Sequence, residues 1–294
     1  MELRHLRYAL AIAEHRHFTR AAKALGIGQP PLSQQIKILE EELGVRLFHR
    51  LTRGVELTEA GRAFMPLAQS AVQAAEQAAA AAQRAARGEI GGLSIGFTSS
   101  ASFNPIVPGI IGRFREGFPT LAISLVEQTT TRLLESLADG ALDIAFLRPA
   151  LGETDGLATR RLPDEDLWVA LPARHRLAGA EALDLLDLAG EPFILYPRSN
   201  GRLLYDTIIA ACRNAGFSPR IAQEAPQMAS TVNLVAAGVG VALVPESMRQ
   251  LHAQGVEYAR IAGNGPKAQL VVAHRREGPM PPAVRNFMGV VAAL

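Results

Sequence analysis

The chain has 294 residues, of which 48% are hydrophobic, a formal net charge of +2 and one cysteine. Its length suits two or three domains with buried cores, which excludes a disordered or fibrous protein. A single cysteine excludes an intrachain disulfide, and no apolar run reaches the ~20 residues of a membrane-spanning helix. Because no signal sequence is found at the N-terminus, we expect a cytoplasmic protein that is not membrane-bound.

The positive charge is concentrated near the N-terminus, where residues 1–62 contain ten Lys/Arg and seven Asp/Glu. This balance is typical of a region that attracts phosphates, and a solvated surface is the alternative interpretation. The resulting charge of +3 limits the attraction that one subunit can provide, so we expect DNA binding by a dimer or a larger assembly.

Three helices are predicted in the first 43 residues. The first covers residues 2–15, where apolar side chains recur at helical spacing. Thr19 is expected to cap the second helix and Gly26 to end it. Pro30 and Pro31 suit the first turn of the third, where a missing backbone N–H costs nothing. The third helix has one face that we expect to be buried: Leu32, Ile36, Leu39 and Leu43.

The other face of the third helix is polar and carries Ser33, Gln34 and Lys37. Two helices joined by a tight turn, the second with outward hydrogen-bond donors, form the helix-turn-helix that enters a major groove. Two ordinary amphipathic helices are the alternative, but caps, prolines and flanking arginines together favour a DNA reader.

A wing and a long helix are predicted next. Residues 47–51 and 55–57 suit a hairpin that turns at Arg53-Gly54, and Arg50 and Arg53 suit contacts with phosphates or a minor groove. Thr58 is expected to cap an alanine-rich helix of about 45 Å that ends before Gly88. One stripe of this helix is expected to pair with a second subunit, with a flexible linker as the alternative: Leu67, Ala71, Ala74, Ala78 and Ala85.

The chain resembles the LysR-type transcriptional regulators along its whole length and most closely in its first 65 residues. The signature is A-A-x-x-L-x-I-x-Q-P-P-L-S-x-Q-I-x-x-L-E-E-E-L-G-x-x-L-F-x-R, from Ala21 to Arg50, and the segments at residues 1–8 and 53–61 also fit. Among the members, the resemblance favours those that sense aromatic or muconate-type carboxylates.

The resemblance implies a tetramer, built as a dimer of dimers, that binds inverted-repeat promoter DNA and has RNA polymerase as a partner. The residues that match groove-facing or wing positions are Gln29, Pro30, Ser33, Gln34 and Arg53, and we add Thr19, Lys37 and Arg50 from the pattern. Close relatives often have arginine where this chain has Gln34. Glutamine prefers adenine and arginine prefers guanine, so the base read here is open.

Strands and helices alternate from residue 93 onward, which predicts parallel sheets with right-handed crossovers. The predicted strands are residues 93–97, 121–127, 142–147, 167–171, 193–196, 221–224, 239–244 and 268–274. The predicted helices are residues 105–116, 131–139, 202–215, 228–237 and 281–294.

We therefore expect a multidomain α+β protein with three parts. Residues 1–58 form the winged helix-turn-helix, residues 59–88 the linker helix, and residues 89–294 a two-lobed α/β domain like type 2 periplasmic binding proteins. Lobe I would comprise residues 89–161 and 268–294, and lobe II residues 162–267. A ligand cleft between the lobes follows by analogy with that fold.

Polar side chains collect after the predicted strands, where helix N-termini also meet. Hydroxyls, helix N-termini and one arginine together suit a small anion, most simply a carboxylate. The candidate effector-binding residues are Ser99, Ser100, Ser102, Thr130, Arg148, Tyr196, Pro197 and Gln227.

The resemblance implies that Ser100, Thr130 and Arg148 contact an effector carboxylate and that Pro197 forms part of the pocket wall. An extra residue between Phe103 and Pro108 leaves Ser99 or Ser102 as alternatives to Ser100. The hydroxyls could instead be helix caps, and Arg148 could form a salt bridge between the lobes.

No catalytic, metal or cofactor site is expected. The histidines lack zinc-ligand spacing, Gly96-Phe-Thr-Ser-Ser lacks the last glycine of a nucleophile elbow, and there is no phosphate-binding glycine loop. We interpret Asp164-Glu165-Asp166 as a solvated face. Two alternatives remain: an effector-independent repressor with a vestigial cleft, and a solute-binding or catalytic protein with a fortuitous helical domain.

Overall fold

The computed structural model describes residues 1–51 and 54–293. The chain divides into two compact units, Met1–Ala85 and Ala86–Leu294. The predictions that involve Arg53 lie outside the described residues. In the described part of the chain, no helix is both long and apolar enough to cross a membrane.

The N-terminal unit begins with three helices: α1 (Leu3–His15), α2 (Phe18–Ala24) and α3 (Gln29–Leu43). They share one core, in which Leu32, Ile36 and Leu39 are fully buried, as the helical spacing predicts. The predicted cap of α2 is wrong. His17 is the N-cap, and its Nδ1 accepts a hydrogen bond from the backbone N–H of Thr19 at 3.2 Å.

The wing consists of β1 (Phe48–Arg50) and β2 (Val55–Leu57), which pair antiparallel. Glu40 of α3 anchors its base, because one carboxylate oxygen accepts hydrogen bonds from the N–H groups of Leu47 and Phe48 at 2.7 and 3.1 Å. This contact fixes the hairpin beside the third helix.

The long helix α4 (Glu59–Ala86) follows the wing. As predicted, Thr58 caps it, with its hydroxyl accepting a hydrogen bond from the Gly61 N–H at 2.9 Å. One face packs against Leu6 of α1 through Ala68 and Val72. The predicted pairing stripe is exposed in the single chain, and Leu67 is 73% exposed.

The C-terminal unit contains two lobes. The strands of lobe I are β3 (Gly91–Phe97), β4 (Leu121–Glu127), β5 (Ile144–Leu147), β6 (Leu157–Arg161) and β14 (Val271–Arg275). They form a five-stranded sheet in the order β4-β3-β5-β14-β6. The helices of lobe I are α5 (Ser99–Ser102), α6 (Ile106–Gly117), α7 (Thr130–Ala138) and α10 (Pro282–Ala292). Strand β3 is parallel to β4 and β5, as predicted, but β14 is antiparallel to both of its neighbours.

The strands of lobe II are β7 (Glu165–Pro172), β8 (Ala182–Leu183), β9 (Pro192–Leu195), β10 (Arg220–Glu224), β11 (Ala242–Pro245), β12 (Val256–Ile261) and β13 (Lys267–Ala268). The central strand is β7, which pairs antiparallel with β11, β12 and β13. The helices of lobe II are α8 (Arg202–Asn214) and α9 (Met228–Ala236). The prediction of parallel pairing is right for β9 and β10 and wrong for β7.

The chain passes from lobe I to lobe II after β6 and returns before β14. The two crossing segments are joined where the N–H of Leu162 donates to the carbonyl oxygen of Leu270 at 2.9 Å. Cys212 is fully buried in the lobe II core, and burial raises the pKa of its thiol to about 11.

Candidate effector cavity and DNA-reading surface

A cavity of about 480 Å³, its open mouth included, lies between the two lobes of the C-terminal unit. Six of the eight predicted effector residues line it: Ser99, Ser100, Thr130, Arg148, Tyr196 and Gln227. The lining residues that the prediction did not include are Thr98, Gln128, Thr129, Asn200, Gly201, Leu204, Pro226 and Met228.

Ser102 and Pro197 do not line the cavity. The hydroxyl of Ser102 donates to the carbonyl oxygen of Ser99 at 2.7 Å, because residues 99–102 form the short helix α5, which was not among the predicted helices. This hydrogen bond uses the hydroxyl within the helix. Pro197 precedes a short 3-10 helix at Arg198–Asn200, which brings Asn200 to the cavity instead.

Helix N-termini from both lobes meet at the cavity. Helix α7 begins beside it, with Thr129 as N-cap. Helix α9 begins on the other side after Gln227, and the side chain of Gln227 makes no capping hydrogen bond. Free N–H groups and the positive end of the helix dipole favour an anion at such positions. The cavity is therefore suited to a negatively charged or strongly polar ligand group.

Arg148 follows β5 and is 2% exposed. Its Nε donates to the Ser100 hydroxyl at 3.2 Å, and its Nη1 to the Gln269 carbonyl oxygen at 2.9 Å. Its Nη2 donates to Oε1 of Glu165, in lobe II, at 2.5 Å. The inter-lobe salt bridge that the sequence left as an alternative is thus present.

Glu165 was predicted to be on a solvated face, and that prediction is wrong. Its side chain is only 10% exposed. Besides Arg148, it accepts hydrogen bonds from the Ser247 N–H at 3.1 Å and from Nδ2 of Asn104 at 3.3 Å. A buried guanidinium requires a compensating charge, and this requirement was the one signal that could have identified Glu165. Its neighbours Asp164 and Asp166 pair with surface cations.

The hydroxyl of Thr98 is buried at the cavity without a hydrogen-bond partner among the described residues. Thr98 itself is 9% exposed. Buried polar groups without partners are rare in native proteins, since each loses its hydration without compensation. Thr98 therefore provides a donor and an acceptor for a bound molecule.

Tyr196 closes the lobe II side of the cavity. Burial raises the pKa of its phenol, which stays protonated, and the hydroxyl donates to the Gly201 carbonyl oxygen at 3.1 Å. This bond fixes the turn that precedes α8.

Two further contacts join the lobes outside the cavity lining. The hydroxyl of Thr131 donates to the carbonyl oxygen of Ser199 at 2.6 Å. Arg202 pairs with Glu153 at 3.4 Å. The lobes are thus held together by these two contacts as well as by the Arg148–Glu165 pair.

Most of the predicted DNA-binding residues in the N-terminal unit are exposed: Gln29, Pro30, Gln34 and Lys37 of α3, Thr19 of α2 and Arg50 of the wing. Ser33 is half-buried. Nε2 of Gln29 donates to the Ser33 hydroxyl at 3.0 Å, so these two side chains form one polar unit. The guanidinium of Arg50 lies 4.7 Å from the centre of the Phe18 ring, which orients the wing arginine.

Two family models together match nearly the whole chain. Residues 3–62 match the bacterial regulatory helix-turn-helix protein of the lysR family, and residues 86–294 match the LysR substrate binding domain. The chain belongs to the LysR family. As predicted, it is a DNA-binding transcriptional regulator with an effector-binding domain, and it is not an enzyme.

This LysR-family regulator is similar to known regulators over nearly its full length. The transcriptional regulator AlsR of Bacillus subtilis (strain 168) is 40% identical over 290 residues, which cover 99% of this chain and 95% of AlsR. The crystal structure of CbnR, a LysR family transcriptional regulator, has a TM-score of 0.88 at 31% identity, with 99% of this chain and 100% of CbnR covered.

Full-length CbnR in complex with its target DNA is also similar, with a TM-score of 0.85 and 30% identity over 100% of this chain and 99% of CbnR. These similarities confirm the predicted fold class, an N-terminal helix-turn-helix followed by a two-lobed effector-binding domain.

Proposed function

We propose that this regulator senses a small organic anion, an aromatic or dicarboxylic acid, that binds between the lobes and changes its action at an inverted-repeat promoter. The observation that carries the proposal is the unpartnered hydroxyl of Thr98 in a cavity where helices α7 and α9 begin. A carboxylate accepts hydrogen bonds from hydroxyl and N–H donors together, so it suits this set of groups.

The hydroxyls of Ser99, Ser100 and Thr130 lie on the lobe I side, and we assign the carboxylate to them. The apolar wall on the lobe II side, formed by Leu204, Pro226 and Met228, then faces the hydrocarbon part of the effector. Ligand pockets generally combine a few oriented polar groups with such apolar walls. An aromatic or unsaturated acid would use both sides of the cavity.

The charge of Arg148 is already paired with that of Glu165 in the absence of an effector. A carboxylate near Arg148 has to share the guanidinium with Glu165 or displace Glu165 from it. Because Glu165 begins strand β7 of lobe II, either change alters a contact that holds the lobes together. A ligand shifts a conformational equilibrium only when it binds one arrangement more tightly than the other, and this shared arginine provides such a difference.

We also propose the assembly that the family resemblance implies. The linker helix would pair with its symmetry mate through the exposed stripe that contains Leu67, and two dimers would form a tetramer on the promoter. The domain boundaries remain those of the sequence prediction, at residues 58/59 and 88/89. RNA polymerase is the proposed partner in transcription.

The effector proposal is tested by thermal unfolding of the purified full-length protein with benzoate, cis,cis-muconate and succinate, and with benzamide as an uncharged control. A bound acid raises the unfolding temperature with its concentration. The matched variant is Arg148→Met combined with Glu165→Gln, which removes both charges and leaves no unpaired buried ion. Stabilisation of the wild type by an acid but not by benzamide, reduced in the double variant, supports the proposal.

The second candidate is an effector-independent regulator. The observation that favours it is the Arg148–Glu165 pair, which neutralises the cavity's arginine without any ligand. If no acid changes the unfolding temperature while the protein still binds a selected DNA duplex, this candidate replaces the sensor. Loss of DNA binding itself would contradict both.

A further inference from the structure

The junction between α1 and α2 contains an arginine in a backbone conformation that favours glycine. Arg16, the C-cap of α1, has φ 49° and ψ 28°. Among the described residues, it is the one non-glycine residue with a positive φ. A side chain with a Cβ destabilises this left-handed conformation, which glycine adopts freely.

The backbone hydrogen bonds of Arg16 explain why this position is left-handed, but they do not explain why it carries an arginine side chain. Its N–H donates to the Ile12 carbonyl oxygen at 2.8 Å, and its carbonyl oxygen accepts from the Val55 N–H of the wing at 3.0 Å. The wing approaches so closely that a Cβ on Gly54 would lie 2.9 Å from this same oxygen. Glycine at position 16 would provide both hydrogen bonds without strain.

The side chain of Arg16 is exposed, and no ion pair or hydrogen bond joins it to any residue that the structure describes. It therefore has no partner in the part of the chain that the structure describes. Strained residues cluster at functional sites, and a guanidinium exposed in this way is available to an external ligand.

Arg16 lines a groove between the α1–α2 junction and the wing. Arg20 and Arg62 also line it, and Glu56 is its acidic residue. The guanidinium of Arg62 already has partners within the chain, because it pairs with Glu59 and donates to the Leu57 carbonyl oxygen at 3.0 Å. Arg20 is exposed and, like Arg16, has no such partner among the described residues. Two guanidinium groups without partners among the described residues thus line the groove.

The groove lies where the helices of the N-terminal unit meet the wing. When a recognition helix enters the major groove and a wing reaches the adjacent minor groove, the sugar-phosphate strand between them runs past the surface that joins helices and wing. Guanidinium groups bind phosphate in a bidentate manner and without regard to sequence.

We propose that Arg16, together with Arg20, binds a backbone phosphate of the promoter strand that passes between α3 and the wing. Arg16 occupies its strained position because the guanidinium is needed there. The proposal rests on the DNA-binding function of the N-terminal unit and is independent of the effector cavity.

The test separates an effect on folding from an effect on DNA binding. Arg16→Gly removes the guanidinium and, at the same time, the backbone strain at position 16. The probe is a duplex selected by the full-length wild-type protein from a randomised pool. Its dissociation constant is measured by fluorescence anisotropy between about 50 and 300 mM KCl, where each phosphate contact contributes about 0.9 to the slope of log K against log [salt]. Unfolding temperatures are measured in parallel.

We expect Arg16→Gly to unfold at the wild-type temperature or above, and to bind about eightfold more weakly per lost contact at ~0.1 M salt, with a correspondingly shallower slope. Arg16→Lys keeps the charge and should retain most of the affinity. Arg4→Ala removes an equal charge about 18 Å away along α1 and should leave the slope unchanged.

A wild-type affinity and slope in Arg16→Gly would overturn the proposal, as would equal losses in Arg16→Lys and Arg16→Gly. A wild-type protein that selects no duplex would instead contradict the DNA-binding function itself, so the two failures are distinguishable.

Discussion

Arg148 Nη2 lies 2.5 Å from Glu165 Oε1, and this ion pair joins the end of β5 in lobe I to the start of β7 in lobe II. Both side chains are almost fully buried, at 3% and 10% exposure. The pair is at the same time part of the cavity wall and part of the connection between the lobes. An anion that binds next to this ion pair would therefore change a contact between the two lobes.

Glu165→Gln should destabilise the free protein and strengthen the effect of an acid. Removing one partner of a buried pair leaves an uncompensated charge and costs about 3–5 kcal/mol of unfolding free energy. A carboxylate effector would return a negative charge to Arg148, so its stabilisation of the variant should exceed that of the wild type. Urea unfolding with and without the acid measures both effects.

Asp164→Asn is the matched control, because Asp164 is adjacent in sequence but pairs with Arg161 at the surface. Surface pairs contribute about 0–1 kcal/mol, and this variant should respond to acids as the wild type does. A Glu165→Gln protein as stable as Asp164→Asn, or one that acids stabilise less than the wild type, would contradict the role given to the pair.

Thr98→Val should weaken effector binding without weakening the fold. The substitution removes a hydroxyl that has no partner in the described part of the chain, and removing an unsatisfied buried group is neutral or stabilising. If the hydroxyl binds the effector, affinity should fall by about 1 kcal/mol, or roughly fivefold. Isothermal titration with the acid identified by thermal unfolding gives the affinity.

Thr207→Val provides the comparison, since the Thr207 hydroxyl donates to the Leu203 carbonyl oxygen at 2.8 Å outside the cavity. Here stability should fall slightly and effector affinity should not change. The reverse result, a destabilised Thr98→Val with normal affinity, would mean that the hydroxyl serves the fold.

Leu67→Glu should separate the subunits if the linker helices pair. Leu67 is 73% exposed in the single chain, and a symmetric interface would bury it twice. Loss of two buried leucines costs about 3 kcal/mol or more, equivalent to an association over a hundredfold weaker. Sedimentation equilibrium measures this, and Gln73→Glu, on another face of the same helix, is the control of equal charge. An unchanged association constant in Leu67→Glu would place the interface elsewhere.

The helix-turn-helix and much of lobe I could be predicted because local patterns dominate there. The spacing of Leu32, Ile36 and Leu39 identified the buried face of α3, and β4 matches its predicted bounds at residues 121–127. Strand β6 was missed because it is an edge strand in which Leu157 alone is buried.

The cap of α2 and the partner of Arg148 show what local patterns do not contain. Thr19 is a typical N-cap residue type, but the buried Phe18 is the first helical residue, so the cap position falls to His17. Glu165 and Arg148 are 17 residues apart in the chain, and the sequence does not indicate which carboxylate pairs with the arginine in the folded protein. Charge runs such as Asp164-Glu165-Asp166 hide a buried member among exposed ones.

Gln34→Arg should change the base that α3 reads. Gln34 is exposed on the polar face of the helix, where glutamine suits adenine and arginine suits the O6 and N7 of guanine. Selection from a randomised duplex pool should show one position in each half-site changing from adenine to guanine, with a discrimination of about 1–3 kcal/mol. Lys37→Ala is the control. If Lys37 contacts a phosphate, its loss should weaken binding to all duplexes alike and leave the consensus unchanged. An unchanged consensus in Gln34→Arg would mean that Gln34 does not face a base.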